Sequence, residues 1–135
     1  MIIGIGHDLT DFKRIEKLLE QHRDRFTHKH FAEVERNRAE KFHDISGHIA
    51  IFAKRFAAKE AAAKALGTGI ADGVHLKDII IDNDAKGRPF LTLNGGALER
   101  LQKITPENHT AKLHLSLTDE PPLASAYVVI EACPE

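Results

Sequence analysis

An α+β fold, with helices packed on a mainly antiparallel sheet, is what the order of segments predicts. One β-rich stretch opens the chain, three helical stretches follow it, and the rest is dominated by β-branched or alternating segments separated by turns. No repeat, linker or low-complexity run divides residues 1–135, so they read as a single domain, long enough to bury about two-thirds of its unfolded surface.

Residues 2–9 are β-branched and punctuated by glycine, which predicts a strand ending in Gly6-His7-Asp8. Asp8 stands where strand gives way to helix, a place for a ligand or for an ordinary cap, and Thr10 would cap equally well. Over 11–26, Phe12, Ile15, Leu18, Leu19 and Phe26 share one helical side. Lys13, Arg14, Lys17 and Arg25 gather roughly opposite, diluted by Asp24. Such a basic stripe is either a solvated face or a dock for an acidic partner. Residues 31–43 predict a highly charged helix with Phe31, Val34 and Phe42 as its apolar contacts, broken before Gly47. His28 and His30 lack a companion metal motif, and all nine histidines read as structural or solvated.

The central helix spans Ile45 to Leu66 and stops at Gly67. At about 100° per residue, Ile45, Ile49, Phe52, Phe56, Ala63 and Leu66 form one apolar stripe. Glu60 falls inside it, with Lys59 and Lys64 on its flanks. A carboxylate on a buried face costs several kcal/mol unless it is paired, protonated or bound to metal. One reading is a structural Glu60–Lys64 pair at i, i+4. The other is a metal ligand at a crevice wall, with lysines beside it to receive an anion. The turn Gly67-Thr68-Gly69 that follows can bring backbone close to phosphates. Acid, lysines and glycine turn together suggest phosphoryl chemistry.

Further on, Leu76 to Asp82 predicts a strand, residues 83–88 a turn, and Pro89 to Leu93 the return strand of a hairpin. Asn94-Gly95-Gly96 leads into a short helix through Ala97, Leu98, Leu101 and Ile104, closed off by Pro106. From Lys112 to Asp119, Leu113, Leu115 and Leu117 alternate with His114, Ser116 and Thr118. Pro121-Pro122 turns the chain into a last strand from Leu123 to Glu131.

Charged residues make up 29% of the chain and leave a formal charge of -1, so no global basic field draws nucleic acid or membrane. The single Cys133 forms no internal disulfide, which fits a reducing cytoplasm. The opening residues lack the basic region of a signal peptide, and no apolar run approaches the roughly 20 residues of a membrane span.

Gly6-His7-Asp8, Arg14-Ile15, and Phe56-Ala57-Ala58-Lys59-Glu60-Ala61-Ala62-Ala63-Lys64-Ala65-Leu66-Gly67-Thr68-Gly69 together resemble the holo-[acyl-carrier-protein] synthases. These are the small bacterial 4′-phosphopantetheinyl transferases. The likeness extends through Asp78-Ile79, Gly87-Arg88-Pro89 and Leu115-Ser116-Leu117. One departure stands out: many members continue the late strand as Ser-x-Ser-His, whereas this chain has Ser116-Leu117-Thr118-Asp119. That histidine's role does not carry over, and Asp119 receives none.

The resemblance implies a 4′-phosphopantetheinyl transferase-like fold and a defined reaction. Coenzyme A donates its phosphopantetheine arm to a serine of apo acyl carrier protein, for fatty acid biosynthesis, and adenosine 3′,5′-bisphosphate is the other product. Asp8 and Glu60 match the family's metal carboxylates, and hard oxygen ligands few in number suit Mg²⁺. Lys64 and Lys59 would hold phosphate oxygens, and Gly67, Thr68 and Gly69 would admit the cofactor. Either Asp8 or Glu60, acting through a metal-bound water, would serve as general base. Lys13, Arg14 and Lys17 would meet the acidic carrier protein. The small members are homotrimers with the cofactor between subunits, and the strand Leu113, Leu115, Leu117 is the expected central packing surface. A non-catalytic module docking an acidic protein is the rival from another class, but it leaves Glu60 unexplained. Transferases for secondary-metabolite carriers are about twice as long, which argues against them.

Overall fold

The computed structural model describes all 135 residues. In chain order the elements are β1 (Ile2–Asp11), α1 (Phe12–His30), α2 (Glu33–Ala39), α3 (Ile45–Ala65), a 3₁₀ turn (Leu76–Asp78), β2 (Ile79–Asn83), β3 (Pro89–Leu93), α4 (Gly95–Ile104), β4 (His109–Glu120) and β5 (Leu123–Pro134). The α+β class predicted from segment order is the class observed. β1, β5 and β4 form an antiparallel sheet in that spatial order, and β2 and β3 form a separate hairpin.

The helix α3 lies across the inner face of the larger sheet and organises both halves of the core. Its C-terminal half packs with Val128 and Ile130 of β5, Ile79 of β2 and Leu101 of α4. Its N-terminal half meets Ile15, Leu19 and Phe26 of α1, with Phe31 beside them. Asp44 caps α3 by accepting a hydrogen bond from the Gly47 amide at 2.8 Å. From Phe52 to Leu66 the helix is buried nearly all round, so the single apolar stripe expected from the sequence is a poor description of it. Alanine makes this enclosure achievable, because seven of the buried positions (53, 57, 58, 61, 62, 63 and 65) carry only a methyl group.

The closest approach is between α3 and β1. Gly4 and Gly6 face the helix, and a Cβ on Gly6 would overlap the Ala61 carbonyl oxygen and lie 2.8 Å from the Ala65 nitrogen. The strand alternation then puts Asp8 and Thr10 on this same inner side, beyond the point of contact. Two small residues in β1 therefore set how near Asp8 comes to the helix.

Several expectations change. β1 continues to Asp11, which caps α1 through its bond from the Lys13 amide at 2.8 Å, so neither Asp8 nor Thr10 is the cap. α1 continues past 26 to His30, with a break in helical geometry at His22. In α2, Val34 is exposed and Glu35 and Ala39 are the buried residues, and Phe42 beyond the helix is exposed as well. Leu113, Leu115 and Leu117 point inward and pack, half-buried, against this chain's own core. The outer sheet face carries exposed Ile5, Leu9, Leu123 and Tyr127 instead.

Candidate active site

β1 and α3 bring three of the predicted site residues together. The Lys64 ammonium donates to Asp8 Oδ1 at 3.0 Å and to the His7 carbonyl at 3.1 Å. Buried Thr10 donates its hydroxyl to Asp8 Oδ2 at 3.4 Å, which orients the carboxylate from behind. Lys64 is the more open partner of the ion pair, with its side chain 52% exposed against 18% for Asp8. Such a lysine can swing from protein to an incoming anion at little cost, because an exposed pair is worth only about 0–1 kcal/mol.

Glu60 sits one helical turn before Lys64, half-buried. Burial first, and then the negative charge of Asp8, hold its carboxyl above the usual carboxylate range, while Arg14 and Lys64 pull the other way. Arg14 comes from α1, its guanidinium 5.1 Å from the centre of the Phe56 ring. Three elements thus contribute to the site: Asp8 from β1, Arg14 from α1, and Phe56, Glu60 and Lys64 from α3. Because the folded chain raises Glu60's pKa, the native state takes up a proton there more readily than the unfolded chain does. Its contribution to stability is present at acid pH and is lost as pH rises from the ordinary glutamate range through the raised value. The thermal midpoint of the parent should accordingly fall relative to that of Glu60→Gln as pH goes from about 4 to 7. Parallel midpoints across that range would contradict the assigned environment.

Two carboxylates that feel one another's charge raise the cost of ionising both, and a hard cation removes that cost. No set of three or more His, Cys, Asp and Glu side chains gathers anywhere as a metal cage. The donor set is instead one of few carboxylates, open to solvent and flanked by Lys64, which fits Mg²⁺ completed by waters and substrate phosphates.

Lys59 is elsewhere. It is fully buried on another side of α3, with its ammonium donating to Glu35 Oε1 at 2.7 Å, to the Leu76 carbonyl at 3.0 Å and to the Ile79 carbonyl. All three ammonium donors are consumed, so the expected phosphate contact is corrected: Lys59 is an interior residue. Desolvation pushes its pKa down to about 8 against the opposing pull of Glu35. No surface pattern betrayed this, since lysine beside glutamate on a helix ordinarily reads as solvated.

The turn after α3 also differs from expectation in detail. Gly67 and Gly69 adopt left-handed backbone (φ 84° and 63°), and their amides bond back to the Lys64 and Ala63 carbonyls at 3.0 and 3.1 Å. Those two amides therefore cap the helix and do not point at a ligand. Thr68 lines a polar pocket of about 420 Å³ with Asp72, Glu99, Arg100 and Lys103. A further concavity of about 230 Å³ is lined by Lys54, Arg55, Asn83, Phe42 and Ile51. Arg55 donates to the Ile81 carbonyl and to Asn83 Oδ1, and its buried Nε has no partner. The sequence reading missed this basic hollow because Arg55 looked like one more charge on a helix. Lys13, Arg14 and Lys17 are all exposed on α1 as expected.

The profile of the 4′-phosphopantetheinyl transferase superfamily matches residues 4–120. A holo-[acyl-carrier-protein] synthase of Caulobacter sp. (strain K31) is 55% identical over 132 residues, covering 98% of this chain and 97% of that protein. Among solved structures, the holo-[acyl-carrier-protein] synthase of Neisseria meningitidis superimposes with a TM-score of 0.81 at 34% identity, over 97% of this chain and 99% of that one. The Bacillus anthracis enzyme in complex with CoA (3′,5′-ADP) does so with a TM-score of 0.76 at 36% identity, over 98% of each. With its carboxylate–lysine site built on the family's fold, the chain belongs to the 4′-phosphopantetheinyl transferase superfamily, and within it to the holo-[acyl-carrier-protein] synthases.

Proposed function

We propose that this chain transfers the 4′-phosphopantetheine arm of coenzyme A to a serine of apo acyl carrier protein, releasing adenosine 3′,5′-bisphosphate and supplying holo carrier protein for fatty acid biosynthesis. The observation that carries the reading is the convergence of Asp8, Glu60 and Lys64 from elements distant in sequence. In the step, the serine oxygen bonds to the phosphorus that bears pantetheine, and the P–O bond to the nucleotide phosphate breaks. The serine proton passes by way of a water to Asp8 or Glu60 as general base. Lys64 transfers its ammonium from Asp8 to a phosphate oxygen as a point charge. Asp8 and Glu60 would hold Mg²⁺, which when bound would supply positive charge for the pyrophosphate and the leaving phosphate. Incubating the protein with apo carrier protein, coenzyme A and Mg²⁺, then measuring intact mass, tests the reading. No mass gain on the carrier would refute it.

Arg14, with Lys13 and Lys17, forms the dock for the acidic carrier. Arg14→Glu should raise KM for the carrier by about tenfold, leave coenzyme A affinity nearly unchanged and flatten the salt dependence. Arg14 also stands beside Glu60, so an equal loss for both substrates would move it into the cofactor site.

The working form is a homotrimer in the cytoplasm, with each cofactor held between two copies. Its support is that the Lys54–Arg55 hollow of one chain looks away from the Asp8–Glu60–Lys64 site of the same chain. At about 100° per residue, Arg55 lies roughly 140° and Ile51 roughly 180° round α3 from Glu60. A neighbour's Lys54–Arg55 hollow would supply the second wall that a cofactor-sized ligand needs. The exposed apolar residues of the outer sheet face offer the surface for assembly. Sedimentation velocity should give the mass of three chains, and a monomer with full turnover would sink the shared site.

A further inference from the structure

Between Phe56 and Leu66, α3 presents an almost featureless surface. Ala57, Ala58, Ala61, Ala62, Ala63 and Ala65 are all buried, and methyl groups give neighbouring elements little to interlock with. Close packing on Gly4 and Gly6 sets the distance of the helix from β1 but leaves rotation about its own axis weakly specified. Rotation matters here. Turning the helix by about 20° carries a side-chain tip ~5 Å from the axis through about 2 Å, and a 1 Å misplacement can cost about 10² in rate.

Lys64 bonds to β1 from an exposed side chain, and the one buried directional anchor in this stretch is the residue preceding Glu60. The Lys59 ammonium bonds to Glu35 Oε1 at 2.7 Å, to the Leu76 carbonyl at 3.0 Å and to the Ile79 carbonyl, and lies 5.0 Å from the centre of the Phe31 ring. Glu35 in turn accepts from the Ala32 amide at 2.9 Å and from the Ile81 amide at 3.2 Å. Both side chains are 0% exposed. Three hydrogen bonds from Lys59 thereby tie α3 at a single angular position to α2, to the 3₁₀ turn and to β2, and two more hold Glu35 itself in place. Burying an ion pair seldom adds stability over apolar residues of the same volume, and fixing a unique arrangement is its best-attested use.

We propose that Glu35 and Lys59 are positioning residues for Glu60, holding α3 at the rotation that turns the Glu60 carboxylate toward Asp8. This rests on the transferase reading only in naming the consequence as lost turnover; the rotation itself stands independently.

The test is the double variant Glu35→Gln/Lys59→Met. Glutamine keeps an oxygen for one of the two backbone amides, methionine keeps the volume of lysine, and the two charges of the pair are removed together. At a temperature well below its melting point, kcat should fall tenfold or more, while KM for coenzyme A and for the carrier stays within about twofold. Its crystal structure should show α3 turned and Glu60 displaced from Asp8. A folded double variant with parental kcat overturns the proposal, as does one in which kcat and both KM values worsen together. Glu60 found in its parental place overturns it too. Should the double variant not fold, Glu35→Gln alone decides in the same way: a selective loss of kcat supports the proposal, and an unchanged kcat overturns it. A parent protein that transfers nothing would refute the transferase reading, and the rotation of α3 would still be judged from the two structures.

Discussion

Replacing Glu60 by glutamine is expected to lower turnover by about 10² or more while leaving the fold intact. Glutamine has nearly the same size and shape, so the half-buried slot beside Phe56 and Lys64 stays filled. What goes is one of the two negative charges that would meet Mg²⁺, together with one of the two proton acceptors. Stability should hold or rise at neutral pH, because an acid whose pKa is raised by burial and by Asp8 is a charge the fold carries at a cost. Steady-state kinetics with Mg²⁺ in excess and a thermal melt on the same preparation decide it. Near-normal turnover would return Glu60 to a structural role and leave Asp8 and Lys64 as an ordinary ion pair.

Gly6→Ala should be nearly as damaging, although it touches no reacting group. The added methyl would meet the Ala61 carbonyl oxygen and the Ala65 nitrogen, both parts of a helix backbone that cannot swing aside as a side chain can. Overpacking of this sort costs about 1–3 kcal/mol, and here the upper end or beyond, since the obstacle is backbone. The helix must lift from β1, which separates Asp8, two residues further along the strand, from Glu60 and Lys64. A shift of about 1 Å suffices for a loss of about 10² in rate. Melting temperature and kcat should therefore fall together. Wild-type values of both would show that the contact between β1 and α3 does not set the site.

Each element rests on a local signal, and those signals are carried by the sequence. The span of α3 follows from its helix formers, its Asp44 cap and its Gly67 stop, all of which are neighbours in the chain. The hairpin of β2 and β3 and the alternation of β4 are equally local. Asp8, Glu60 and Lys64 were legible because an acid on an apolar helix face is anomalous and because the surrounding motif is distinctive.

Where residues far apart in sequence must meet, local pattern falls silent. Lys59 and Glu35 lie 24 positions apart, each among other charged or small residues, and only packing takes both out of water and into one bond. A helical wheel assumes one wet side, so it misjudges a helix that alanine allows to be enclosed on every side. Alternation along β4 says that Leu113, Leu115 and Leu117 share a face, but which face is covered depends on where α3 lies. The sequence by itself determined the class, the elements and the candidate carboxylates, because propensity, capping and motif spacing are properties of neighbours. Only the tertiary structure decided which lysine is free, with Lys64 at the site and Lys59 sealed inside. The physical reason is that burial and pairing are set by the whole packed chain.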